Sequence, residues 1–240
     1  MSALVRGELI KLRTTRTALG FTSAVVLLTL AIVLITILAG DPTTVADKRS
    51  ALAVGSNISA LLLVFGVVGA GAEYRHRTLA PALLVAPGRG RLLAARVIAY
   101  GLAGLIIGIV MTAVTLAIGL PLLAGQPGPD LAGGDYLRAC GGGLVAILLS
   151  TMLGVGVGTL VGSQVPAVIG TMIWIFLLEP LSGLIDHIVK YTVGQTATAL
   201  GGNTGGGDVL PWGAAFLVML AWTAVFLLAA AAVDGRRDVA

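Results

Sequence analysis

Six stretches of the sequence, 18–39, 51–72, 97–123, 137–161, 166–185 and 211–233, run almost without charge for the length a helix needs to cross a bilayer. About 20 apolar residues in a helix span the roughly 30 Å of hydrocarbon. Lipid satisfies no backbone polar group, so only helices and closed barrels can cross it. A barrel strand would alternate polar and apolar residues. These runs are apolar on every face, which predicts an all-α polytopic membrane protein with six transmembrane helices. Mean hydropathy of +1.02 and a charged fraction of 11%, against about 25% in soluble chains, point the same way.

The connecting segments carry the orientation. Residues 1–17 are basic, with Arg6, Lys11, Arg13 and Arg16, and Val5, Leu9 and Leu12 fall on one side of a helical wheel. That pattern predicts an interfacial helix on the membrane surface. The first apolar run is longer than the 7–15 residues of a signal-peptide core and stops at Gly40-Asp41-Pro42, so it reads as a retained span. Loop 73–96 holds Arg75, Arg77, Arg89, Arg91 and Arg96, the turn 162–165 holds no cation, and the tail 234–240 holds two arginines. With six spans, eleven of the fifteen lysines and arginines fall on the side of the N-terminus. By the positive-inside rule that side, with both termini, is cytoplasmic. The net charge of +4 describes these loops and implies no nucleic-acid partner. Heavy use of Gly, Ala and Arg with few lysines points to the plasma membrane of a GC-rich bacterium.

Catalytic and metal chemistry find no foothold in the sequence. There is no G-x-x-x-x-G-K-[ST] phosphate loop and no H-E-x-x-H pair. His76 and His187 fall on opposite sides of the predicted membrane. Ser56, Ser59 and Ser150 lie in spans with no histidine or carboxylate beside them, so no base stands ready to activate a nucleophile. The single Cys140 reads as an apolar packing residue. The chain is expected to be no enzyme, with neither cofactor nor metal of its own.

Polar residues inside the spans are few. Asn57 and Ser59 in span two, Thr171 in span five, and Glu179 near the outer end of span five are the candidate substrate-pathway residues. Each has a structural alternative: such residues commonly satisfy backbone or neighbouring helices, and Glu179 also reads as a helix-end acid reaching the interface. Gly154, Gly158 and Gly162, like Gly104 and Gly108, repeat at intervals of four, a spacing that lets helices approach closely in lipid.

The feature that remains is loop 73–96. Glu73-Tyr74-Arg75-His76-Arg77-Thr78 leaves span two as a charged turn. Leu79 to Val85 is a short apolar segment with a proline, Pro87-Gly88 makes a turn, and Arg89-Gly90-Arg91 leads into span three. Leucines between charges suit docking into a groove on another protein; the alternative is an ordinary positive-inside loop with interfacial leucines.

These residues resemble the coupling segment of the permease subunits of type 2 ABC exporters. Glu73, Arg75 and Thr78 match the family's acidic, basic and threonine positions, and Arg77 stands where the family commonly has glycine. The layout of the whole chain resembles the family too. The resemblance implies a cytoplasmic coupling helix between spans two and three, a basic N-terminal elbow helix over 1–17, a six-helix domain over 18–233, and an extracellular helical segment over 186–210 that caps the outer mouth. It implies separate cytoplasmic ABC ATPase subunits, which would hold the ATP and Mg, and a second permease chain completing the pathway as a homodimer or with a sister permease. It implies ATPase coupling through Glu73, Tyr74, Arg75, Arg77, Thr78, Leu79, Leu83, Leu84, Arg89 and Arg91. Leu79, Leu83 and Leu84 would be docking knobs, and Glu73 a hinge or a salt-bridge partner of Arg75 or Arg77. The cargo implied is a drug, an antibiotic or a lipid-like molecule. Two other readings stay open: a self-contained channel or secondary carrier, and a non-transporting membrane scaffold.

Overall fold

The computed structural model describes residues 2–14, 16–75, 88–184, 186–202 and 209–236, and among them there is no strand. The helices in chain order are α1 (Ser2–Thr14), α2 (Arg16–Leu38), α3 (Val45–Leu52), α4 (Val54–Asn57), α5 (Ser59–Arg75), α6 (Arg89–Ala124) and α7 (Gly133–Tyr136). They continue with α8 (Gly142–Val161), α9 (Gln164–Ile173), α10 (Glu179–Ser182), α11 (Asp186–Val189), α12 (Val193–Leu200) and α13 (Trp212–Arg236). Two π-helical turns, Leu137–Gly141 and Trp174–Leu178, join α7 to α8 and α9 to α10 into longer rods.

Five of these rods, Leu19–Leu38, Arg89–Ala124, Gly133–Val161, Gln164–Ser182 and Trp212–Arg236, are long and apolar enough to cross a membrane. The protein is therefore an all-α, membrane-embedded chain. The run expected as span two, 51–72, does not form one long helix. It is divided among α3, α4 and α5, with interruptions at Ala53 and Ile58. The reason is local: Val54-Gly55-Ser56-Asn57-Ile58-Ser59 puts three small polar side chains in one turn, and such side chains compete with the helical ladder for backbone partners. Ser56 Oγ donates to Ala53 O at 2.7 Å and Ser59 Oγ donates to Ser56 O at 2.7 Å. α5 alone has 17 residues, about 26 Å at 1.5 Å per residue.

α8 is the centre of the molecule. In its span 61% of the apolar window is buried, against 28% or less in the other four, and α8 packs on α5, α6 and α13. Glycine is what brings these helices together. A Cβ at Gly66 would overlap backbone atoms of Thr151 and Val155, and a Cβ at Gly154 would overlap Leu63 and Val67, so α5 and α8 touch backbone to backbone. Gly158 faces Val67 in the same seam, and on α6 Gly104 faces Thr151 and Gly108 faces Ile147. The four-residue glycine spacing thus works within the chain. Gly162 is an exception to that reading: at φ +66° it closes α8 as a left-handed cap, its N–H donating to Gly158 O at 3.0 Å, a conformation that glycine adopts without steric cost.

At the end of the bundle away from loop 73–96, side chains satisfy the helix termini. Lys48 is buried and its Nζ reaches Gln126 O at 3.3 Å and Gly128 O at 3.4 Å, just beyond the end of α6. Arg49 Nη1 lies 3.3 Å from Asp135 Oδ1. α12 packs against α13, α8 and α4, burying Val193, Ala197 and Leu200.

Candidate functional site

The arginine-rich end of the molecule is where charge is concentrated and buried. α1 lies along α6, turning Leu4, Val5, Leu9 and Leu12 partly inward, but the residue it buries fully is Glu8. Glu8 is 5% exposed, Glu73 7% and Arg96 2%. An isolated charge buried to this degree is costly, so the arrangement persists only if opposite charges meet. They do. Arg96 Nη2 is in direct contact with Glu73 Oε2. Lys11 Nζ lies 3.1 Å from Glu73 Oε1 and 2.8 Å from Glu8 Oε1, bridging the two acids. Two carboxylates and two cations form a balanced quartet drawn from α1, the last turns of α5 and the first turns of α6.

A second group of bonds brings in α13. Tyr74 Oη donates to Asp234 Oδ1 at 2.7 Å, and Arg89 Nη1 donates to the Asp234 carbonyl oxygen. Asp234 is itself 5% exposed. Arg75 Nη1 donates to Gln164 Oε1 at 3.3 Å, at the start of α9. The helices on either side of segment 76–87 are therefore tied to each other, to α1, to α9 and to α13 by side-chain bonds.

This geometry corrects one expectation. The partners of Glu73 are Arg96 and Lys11. Arg75, proposed as its partner, points instead to Gln164, and Arg77 lies outside the described residues. A neighbour in sequence on the same helix end faces another way, whereas α1 and α6 present their cations across the packed interface. Of the other residues expected to couple to an ATPase, Tyr74 and Arg89 join the network and Arg91 is exposed. Thr78, Leu79, Leu83 and Leu84 lie outside the described residues.

Three members of the cluster escaped the sequence reading: Glu8, Arg96 as a buried residue, and Asp234. A signal existed for two of them. Glu8 falls between Leu4 and Leu12 on the inward side of α1, where an acid has no reason to be unless it meets a cation. Arg96 interrupts Leu92-Leu93-Ala94-Ala95 and Val97-Ile98-Ala99, so its side chain has to be packed or paired. Nothing local marked Asp234.

Of the four candidate pathway residues, Thr171 alone lines an apolar cleft. Asn57 is exposed at the α4–α5 interruption. Ser59 is buried with its hydroxyl bonded to Ser56 O, and Thr171 is buried with its Oγ1 donating to Ala167 O at 2.8 Å. Glu179 is half-buried and acts as a clamp: its Oε1 accepts from the Gly194 N–H at 2.9 Å and from Trp174 Nε1 at 3.2 Å. It fastens the start of α12 to the second π turn.

Thr171 and Trp174 also line an apolar cleft of about 220 Å3 between α8, α9 and α13, whose other walls include Val157, Gly170, Trp222 and Phe226. Among the described residues no three His, Cys, Asp or Glu side chains gather as a metal site. No protein-family model matches the chain, and no curated protein matches it significantly.

Proposed function

We propose that the chain is the membrane-spanning permease subunit of an ATP-driven exporter of the type 2 ABC kind, coupled to separate cytoplasmic ATPase subunits. The observation that carries this reading is the buried quartet of Glu8, Lys11, Glu73 and Arg96 together with the Tyr74–Asp234–Arg89 bonds. A device that converts a push on segment 76–87 into helix movement needs that segment's two stems joined stiffly to the spans. Here the α5 stem is joined to α1, α9 and α13, and the α6 stem to α5 and α13. In this reading α5 serves as the second of six spans, both termini face the cytoplasm of a bacterial cell, and Leu79, Leu83 and Leu84 dock on the ATPase. A second permease chain completes the pathway for a drug, antibiotic or lipid-like cargo.

Co-purification from native membrane with this chain as bait tests the proposal. An ATPase subunit is expected with the wild type and lost with the Leu83→Asp, Leu84→Asp pair, while the pair still inserts. Absence of any ATPase from gently solubilised membrane overturns the reading.

One observation favours a second reading, a self-contained carrier. The second and fifth apolar runs, which occupy corresponding places in two sets of three, are both irregular, one broken at Ala53 and Ile58 and the other carrying the π turn Trp174–Leu178, although the fourth run also opens on a π turn, Leu137–Gly141. Interrupted helices in matched halves mark the substrate sites of many secondary transporters. Transport by the purified chain in vesicles without ATPase would decide for it.

A further inference from the structure

We propose that the cleft between α8, α9 and α13 is a binding site for one acyl chain of a membrane lipid. The inference goes beyond the transporter reading and does not depend on it.

The chemistry of the walls excludes most ligands. Three wall side chains carry a hydrogen-bonding group, and each is already engaged within the protein: Thr171 Oγ1 with Ala167 O at 2.8 Å, Trp174 Nε1 with Glu179 Oε1 at 3.2 Å, and Trp222 Nε1 with Tyr191 O at 2.9 Å. The other lining side chains are apolar. A charged or strongly hydrogen-bonding ligand would leave water and receive nothing in return, a cost of several kcal/mol per group. The occupant has to be hydrocarbon.

Size and shape narrow it further. At about 220 Å3 the cleft exceeds the roughly 150 Å3 of a dry apolar cavity that accepts benzene, and it falls short of the roughly 300–1,000 Å3 of pockets for drug-sized ligands. It follows α9 from Pro166 to Trp174 and α8 from Leu153 to Val161, about 12 Å along each helix. A slot of that length matches part of one extended acyl chain.

Its position supplies the ligand. Three of the helices that wall it, α8, α9 and α13, belong to rods long and apolar enough to span a membrane, with Leu63 of α5 and Val193 of α12 completing the lining, so the slot lies among segments for which acyl chains are the solvent. Two features keep it open. A Cβ at Gly170 would meet no atom within 4 Å, so nothing on α9 fills the slot from that side. The π turn begins at Trp174, whose ring packs edge-on against Trp222 with centroids 5.8 Å apart. π-helical insertions of this kind recur at functional sites. The aromatic pair forms one end of the slot.

The two wall indoles make the site directly observable. The sequence has three tryptophans, and Trp212→Phe leaves Trp174 and Trp222 as the reporters. Phosphatidylcholine with dibrominated acyl chains is titrated into detergent micelles holding the purified full chain, and tryptophan quenching is read. The expected result is a saturable component that reaches its plateau at one lipid per chain, is competed away by unbrominated phosphatidylcholine, and is lost in Gly170→Phe. Gly170→Leu serves the same purpose should the phenylalanine variant fail to fold, as judged by size-exclusion chromatography and circular dichroism. Quenching that only rises in proportion to the brominated fraction, that resists competition, or that is identical in wild type and a folded filled-slot variant overturns the proposal: the first two mean annular lipid only. Absence of quenching in the wild type also overturns it.

Discussion

Glu73, in the last turns of α5, and Arg96, about two turns into α6, meet in a buried ion pair across the base of the segment that separates their helices. Neither residue has water to fall back on, since both are at least nine-tenths buried. The pair fixes the distance between the two stems of loop 73–96 and, through Lys11, the seat of α1.

Removing one partner is therefore expected to do more harm than removing both. Glu73→Ala leaves Arg96 buried without its direct counter-charge and should cost about 3–5 kcal/mol, while the double change Glu73→Leu, Arg96→Met should come close to neutral. Lys11→Met leaves the buried Glu8 carboxylate without its direct counter-charge. Because Lys11 itself is half in water, the loss should be smaller than for Glu73→Ala, but still above the roughly 1 kcal/mol of an exposed pair. Denaturant unfolding in micelles, followed by circular dichroism, measures all three. Equal losses in the single and double variants would show that the pair contributes by packing alone.

The seam between α5 and α8 should not tolerate even a methyl group. Gly66→Ala and Gly154→Ala each push a Cβ into the facing backbone, and overpacking of this kind costs about 1–3 kcal/mol. Gly170→Ala, which meets open space inside α9, is the matched control and should hold or slightly raise the melting temperature.

One oxygen of Glu179 accepts two hydrogen bonds, one from Gly194 in α12 and one from Trp174 in the second π turn, and so ties the two together. Glu179→Ala removes the acceptor of the Gly194 N–H and the Trp174 indole N–H, both only partly buried, so each lost bond should cost about 1 kcal/mol rather than the full penalty of a buried unpaired donor. Faster amide hydrogen exchange over 193–200, with little change in α8, is the expected signature. Glu179→Gln keeps an acceptor and should fall between.

The start of α3 should respond to acid. The Thr44 hydroxyl and backbone N–H both donate to Asp47 Oδ2, at 2.7 and 3.1 Å, and hold its carboxyl below the ordinary 3.8. A depressed carboxylate pKa stabilises the folded form above the unfolded value, and that contribution fades as pH falls through the folded one. Amide protection in the first turn of α3 should therefore be full at pH 5 and above and weaken below about pH 4. Asp47→Asn should be flat across the same range.

How much of this could be read beforehand depended on whether the cause was local. An unbroken apolar run has one solution in lipid, because its backbone must bond to itself; α2, α6, α8 and α13 follow from that requirement. The second run has the same average character, yet the Ser56-Asn57-Ile58-Ser59 turn outweighs it locally and splits the helix. Loop 73–96 could be singled out by its arginines, but not the inward role of Arg96, because charge on a sequence does not say which way a helix is turned.

Composition and run length by themselves determined that the chain is helical, membrane-embedded and rich in close-packing glycines, since those properties depend on the solvent and on residues within one turn of each other. Tertiary structure alone decided that Glu73 pairs with Arg96 and Lys11 rather than with Arg75, that the Gly66 and Gly154 backbones touch, that Glu179 clamps α12, and that a slot stays open beside Gly170. Each of these rests on the rotation and depth of one helix against another. That is fixed only when all the packed faces are satisfied together.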